Sequence, residues 1–73
     1  MQKQVLQVGE GCDIEMHVVK NEHGLYFVSY HLFRMVNGVR TMDDKPRPVL
    51  AYNNLDDLYA EQAENMAGQK ITI

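Results

Sequence analysis

The stretch DIEMHVVKNEHGLYFVSYHLFRMVNGV, running from Asp13 to Val39, decides the fold. In its first third, Ile14, Met16 and Val18 alternate with Asp13, Glu15 and His17. A period of two predicts a strand with one buried face. Asn21-Glu22-His23-Gly24 reads as a turn, and Gly24 to Val36 follows as a long run rich in aromatic and β-branched residues. It closes on Asn37-Gly38. Asn-Gly between apolar runs is a strong hairpin signal, because a type I′ turn needs positive φ at both central positions. Val39 to Met42 then returns as a third strand.

Outward from this hairpin pair, Gln2 to Val8 carries Val5, Leu6 and Val8 and predicts a short first strand, followed by a turn at Gly9-Glu10-Gly11. Asp43 to Pro48 breaks the pairing, since Pro46 and Pro48 remove two ladder donors. Val49 to Tyr52 has room for one more short strand. A helix follows, starting near Asn54. Asn53 or Asn54 caps it, and Asp56 and Asp57 sit in the first turn, where the helix dipole favours acids. Leu55, Leu58, Tyr59, Ala63 and Met66 form one stripe at helical spacing, and Gly68 suits the stop. Ile71-Thr72-Ile73 reads as a last short strand or a frayed end. The expected fold class is α+β, in one domain over residues 1–73: an antiparallel β-meander of three to five strands with one C-terminal helix packed on one face.

The turns set which side chains share a face. A two-residue turn at Asn37-Gly38 places Val36 opposite Val39, Arg34 opposite Thr41 and Phe33 opposite Met42. A four-residue turn at Asn21 to Gly24 places Val18 opposite Phe27, Met16 opposite Ser29 and Ile14 opposite His31. Directly opposed residues share a face. The expected core face then holds Ile14, Met16, Val18, Leu25, Phe27, Phe33, Met35 and Met42, under Leu55, Leu58, Tyr59 and Met66. The other face holds Asp13, Glu15, His17, Val19, Tyr26, Val28, Tyr30, Leu32, Arg34 and Thr41. A bulge that shifts the register by one residue exchanges these faces.

Composition narrows the function classes. A chain of 73 residues has little room for an enclosed active site beside its core, so binding is expected over catalysis. The net charge of −3 disfavours non-specific attraction to nucleic acid or anionic membrane. The charge is uneven: Arg34, Arg40, Lys45 and Arg47 are four of the seven cations, whereas Asp56 to Glu64 holds four acids and no cation. Cys12 is the only cysteine, which fits a reduced, cytoplasmic setting. No leader is evident, and no apolar run approaches the ~18 residues of a membrane span.

Few residues suggest chemistry. In the register above, His17 and His31 point to opposite faces and His23 lies in a turn, so neither a metal site nor any cofactor is expected. His31 reads as a hydrogen-bonded core histidine. Cys12 reads as a small buried or half-buried thiol, because no nucleophile elbow accompanies it. The helix acids read as a solvated face; their alternative is phosphate-like spacing aimed at a nucleic-acid-binding partner. Tyr26, Tyr30 and Arg34 form an i, i+4, i+8 row, and Tyr and Arg are enriched at interface hot spots. Glu15 and His17 share their face, and Arg40 is a further candidate. The same row can stack bases while Arg40, Lys45 and Arg47 meet phosphates, or be covered by the fold.

The segment Ile14-Glu15-Met16-His17-Val18-Val19-Lys20-Asn21-Glu22-His23-Gly24, the long strand ending Val36-Asn37-Gly38 and the acidic helix from Leu55 together resemble small phage-encoded anti-CRISPR proteins of the type I inhibitor group. The resemblance is architectural and spans roughly residues 13–67; the Asp43-to-Pro48 insertion departs from the pattern. It implies a non-enzymatic inhibitor in the host cytoplasm that binds a Cas surveillance complex directly, through exposed aromatic and charged side chains, here Tyr26, Tyr30 and Arg34. The expected partner-binding set is therefore Tyr26, Tyr30, Arg34, Glu15, His17 and Arg40. Two other readings are a self-assembling homodimer closed by the tyrosine face, and a small nucleic-acid-binding regulator.

Overall fold

A computed structural model describes residues 1–9 and 11–73 of the chain. The expected turn Gly9-Glu10-Gly11 centres on Glu10, which lies outside the described residues. Five strands form one antiparallel sheet: β1 (Gln2–Gln7), β2 (Ile14–Lys20), β3 (Tyr26–Val36), β4 (Val39–Met42) and β5 (Leu50–Tyr52). The order is β1-β2-β3-β4, and β5 also pairs with β3. A helix, α1 (Leu55–Gln62), continues into a 3₁₀ turn, η1 (Ala63–Met66). The α+β class and the single C-terminal helix are as the sequence predicts.

Two turns with different chemistry fix the register. At the β3–β4 hairpin, Asn37 and Gly38 both take positive φ, 51° and 79°. Val36 therefore faces Val39, Arg34 faces Thr41 and Phe33 faces Met42, as expected of a two-residue primed turn. The β2–β3 connection differs from expectation. The Asn21 side chain accepts from the backbone N–H of His23 and of Leu25, both at 2.9 Å. Its own N–H donates to the Leu25 carbonyl at 3.0 Å. Asn21 closes the turn by accepting from the Gly24 N–H at 3.2 Å, but it stands opposite Leu25 just past the last ladder pair, Lys20 with Tyr26, so only Glu22-His23-Gly24 lie between them, with Gly24 at φ 81°. Three-residue loops with a left-handed last residue are a standard hairpin solution.

Losing one loop residue moves β3 by one position. Lys20 pairs with Tyr26, Val18 with Val28, Met16 with Tyr30 and Ile14 with Leu32. Because side chains alternate, this slip exchanges the two faces of β3. Tyr26 and Val28 are buried in the core, and Tyr30 packs against it. Phe27, Phe33, Met35 and Met42, expected in the core, lie on the opposite face; Met35 is 63% exposed and Met42 45%.

The core is built from Leu6, Met16, Val18, Tyr26, Val28, Tyr52, Leu58, Met66 and Ile71. The faces expected for β2 and the helix stripe of Leu58 and Met66 hold. Asn54, in extended backbone, caps α1 by accepting from the Asp57 N–H at 2.9 Å. The C-terminal tail forms no strand. Instead Ile71 is buried, its N–H donates to the Tyr59 hydroxyl at 3.0 Å, and the Thr72 N–H donates to the Gln4 side chain at 2.7 Å.

The sheet outgrows its helix. Beyond Phe33, whose N–H still donates to the Asp13 carbonyl, β3 and β4 project as a two-stranded arm, and the molecule measures 41 × 23 × 19 Å. Its radius of gyration is 12.9 Å, against about 11 Å for a compact domain of this length.

Candidate functional site

The register brings a polar cluster together on the sheet face opposite α1. Glu15 and His17 come from β2, Ser29, His31 and Phe33 from β3, and Arg40 from β4. Glu15 and His31 are direct cross-strand partners, as are His17 and Ser29. The two imidazoles therefore lie diagonally, and their ring centroids stand 3.9 Å apart. This overturns the expectation that His17 and His31 point to opposite faces, and with it the geometric reason for separating them. His31 is not a core histidine.

Each polar group in the cluster has a partner. His17 Nε2 lies 3.0 Å from Glu15 Oε1, and His31 Nε2 lies 3.0 Å from Ser29 Oγ. Arg40 reaches across β3 towards β2. Its guanidinium sits 3.6 Å from the centroid of the Phe33 ring, 2.8 Å from an Asp13 carboxylate oxygen and 3.4 Å from Glu15. A planar guanidinium suits this combination of stacking and carboxylate pairing. The clasp joins three strands where the arm leaves the body.

The cluster shifts its own titrations. Glu15 is held below the usual carboxylate range, first by its hydrogen bond with His17 and then by the attraction of Arg40, against the opposing effect of burial. His31 is pushed below the ordinary imidazole value by burial, with repulsion from His17 and Lys3 adding to it and Glu15 opposing. Among the described residues, no group of three His, Cys, Asp or Glu side chains is placed to hold a metal ion. Cys12 is exposed, not half-buried as expected.

The six candidate contact residues separate into two groups. Glu15, His17 and Arg40 meet in the cluster. Tyr26, Tyr30 and Arg34 share the other face, and their row runs from core to solvent. Tyr26 is 7% exposed. Tyr30 is half-buried, and its hydroxyl donates to the buried Gln62 side chain. Arg34 is exposed. The expected exposed tyrosine row is therefore corrected: Tyr26 is core and Tyr30 is a seam residue.

Sequence reasoning missed the network beneath the helix. Gln62 donates to the Tyr52 hydroxyl at 2.8 Å, and Tyr52 donates to Glu61 at 2.6 Å. Burial raises the pKa of both Tyr30 and Tyr52. The signal was Gln62, a polar residue on the buried side of a helix, which needs partners when desolvated.

The clustered cations are also partly spent within the chain. Arg40 pairs with Asp13 and Glu15, and Arg47 with Asp43 at 3.3 Å. Arg34 and Lys45 have no ion-pair partner among the described residues. Among the described residues, no helix is long and apolar enough to cross a membrane. Comparison with protein-family models, with curated proteins and with solved structures finds no match for this chain.

Proposed function

We propose that this chain is a small non-enzymatic protein-binding module whose contact surface is the sheet face opposite α1. The observation that carries the reading is the clasp of Glu15, His17, His31, Phe33 and Arg40. Its side chains are already held by one another, so little conformational freedom remains to be lost on binding. Exposed apolar groups border it, Val5 at 47%, Met35 at 63% and Met42 at 45%, giving the mixture of aromatic, arginine and methionine that protein interfaces favour. Pairing of Arg40 and Arg47 with carboxylates favours a protein over a nucleic acid, because it withdraws those cations from phosphates.

The narrower form of the proposal takes its partner from the architectural resemblance: a phage-type inhibitor that occludes a bacterial Cas surveillance complex in the host cytoplasm. The test is calorimetric titration into a purified type I surveillance complex, with target-DNA binding by that complex read in parallel. Binding with loss of target capture is expected. Phe33→Ala and Arg40→Ala should each weaken it by about tenfold or more. No binding sinks the narrower form. Tight binding that ignores both substitutions sinks the assignment of the face.

A further inference from the structure

We infer that Asn37 is a site of spontaneous covalent modification: when the β3–β4 arm opens, the Gly38 backbone nitrogen closes on the Asn37 side-chain amide, ammonia leaves, and the isoaspartyl product that water then gives loosens the hairpin. The site lies at the tip of the arm, outside the contact face assigned above, so either assignment can fail alone.

Three observations select Asn37. First, it is followed by glycine. Gly38 has no Cβ to shield its nitrogen, and even an added one would meet nothing within 4 Å, so the nitrogen is open to approach. Secondly, the other asparagines are held or shielded. Asn21 Oδ1 accepts from the His23 and Leu25 N–H groups, and Asn54 Oδ1 from that of Asp57. Asn65 donates to Gln62 at 3.2 Å. Asn53 is exposed, but the residue after it is Asn54, whose β-carbon crowds the nitrogen that would attack. Asn37 is exposed, and its side chain has no hydrogen-bond partner among the described residues. Thirdly, the turn sits where the sheet is thinnest. Asn37 and Gly38 hold left-handed φ of 51° and 79°, and the closed five-membered ring does not fit that primed turn. Ring closure therefore needs opening. Here β3 has only β4 beside it, and every residue from Arg34 to Arg40 is exposed. A two-stranded end of this kind opens without the body.

The chemistry balances with water as its co-reactant. The Gly38 nitrogen loses its proton to solvent and bonds to Asn37 Cγ. The Cγ–Nδ2 bond breaks, and the nitrogen leaves as ammonia with a proton taken from solvent. The succinimide then takes up one water at either carbonyl. Attack at Cγ gives aspartate in the normal main chain, whereas attack at the backbone carbonyl carbon routes the main chain through Cβ and Cγ. That second, isoaspartyl product lengthens the turn by one methylene. It cannot hold the two-residue primed geometry that sets Val36 opposite Val39. β4 also carries Arg40, so the loosened strand is the one that delivers the guanidinium to Asp13 and Glu15.

The test holds the full chain in warm, mildly alkaline buffer and follows it by peptide mapping with mass spectrometry and by an isoaspartyl-specific methyltransferase. A second sample, kept unfolded in guanidinium chloride, sets the rate at an open site. Conversion of amide to acid should appear first at Asn37 in the folded chain, more slowly than in the unfolded one, with methyl acceptance at the same residue. First conversion at another asparagine overturns the proposal, as does a folded Asn37 that stays intact while the unfolded one converts completely. Gly38→Ala should slow conversion several-fold although it strains the turn; an undiminished rate overturns the ring-closure route. In the aged chain, amide exchange at Val36 and Val39 should quicken, whereas freshly purified Asn37→Asp, with an Asp-Gly turn, should exchange as the wild type does. Unaltered exchange in the isoaspartyl-bearing chain overturns the loosening of the hairpin, and equally quick exchange in Asn37→Asp overturns its assignment to the lengthened main chain.

Discussion

One strand, β3, lives in two environments. From Tyr26 to Leu32 it is flanked by β2 and lies under the helix layer, and its helix-side residues Tyr26 and Val28 are buried at 7% and 0% exposure. From Arg34 to Val36, past the Phe33 N–H that donates to the Asp13 carbonyl at 2.9 Å, it has only β4 beside it, and Met35 and Val36 stand 63% and 39% exposed. The composition hardly changes along the strand; the surroundings do. Apolar side chains in the first part hold the fold together. The same kind of side chain in the second part contributes little to the isolated chain and is available to a partner. β-branched and aromatic content therefore reports strand formation, while burial depends on what the rest of the chain can reach.

The sharpest test of this contrast is a pair of truncations. Leu58 is fully buried over the sheet, so Leu58→Ala should cost about 2–5 kcal/mol through lost burial and a residual cavity. Met35→Ala in the arm should stay within about 0.5 kcal/mol. Denaturant unfolding of both variants reads the difference. Comparable losses at the two sites would erase the distinction between body and arm.

A second test probes the seam. Tyr30→Phe removes the hydroxyl that donates to Gln62, a side chain only 7% exposed. Asn65 also donates to the same Gln62 oxygen, at 3.2 Å, which softens the effect. The expected loss is about 1 kcal/mol, near the lower end for a buried polar group deprived of one partner. Unchanged unfolding would place the hydroxyl outside the cooperative body.

The two hairpin glycines extend the comparison. Gly24 and Gly38 both hold positive φ, and an added Cβ at either meets nothing within 4 Å. Only backbone strain separates Gly24→Ala and Gly38→Ala from the wild type, about 1–2 kcal/mol in the left-handed region. At Gly24 that strain falls on the turn joining the two longest strands, and global stability should drop by that amount. At Gly38 the arm can open locally without unfolding the body. The unfolding midpoint should move less there, while amide exchange at Val36 and Val39 quickens.

The sequence made the architecture legible because its signals are local. Asn37-Gly38 specifies its own turn, Asn54 its own cap, and the Leu58–Met66 stripe its own buried side. The site was legible only in part. Its membership turned on one loop residue: whether Asn21 stands inside the loop or opposite Leu25. Asn21 is compatible with both, since its side chain can complete an Asx turn from either position. Standing opposite Leu25 lets it satisfy two backbone N–H groups while Tyr26 and Val28 enter the core. That choice moved Tyr26 inside and brought His31 beside His17. The arm's exposure was equally hidden, because nothing local in Met35 or Val39 records that the helix ends near Tyr30.

The smallest expected effect is a pH dependence centred on the clasp. His31 titrates below its ordinary value of 6.5 in the folded chain. The unfolded chain therefore binds a proton that the folded chain refuses as pH falls below 6.5. Stability contributed by neutral His31 is complete above that value and is lost towards the lower folded pKa. Glu15 acts in the same sense at lower pH: its carboxylate is favoured in the fold, so its contribution is present above 4.5 and is lost on further acidification. His17, Glu15, Lys3 and Ser29 act on His31 from the body, and Asp43, Asp44, Lys45 and Arg47 of the loop after β4 line a hollow with it. Acidification from neutral pH should thus lower the melting temperature of the body, with the first part of the decline assigned to His31. His31→Gln should flatten the profile just below 6.5 and leave the Glu15 region unchanged. Thermal melts of both proteins across this range decide the point. A variant profile that keeps the same upper slope would assign that slope to another group and detach His31 from the stability of the body.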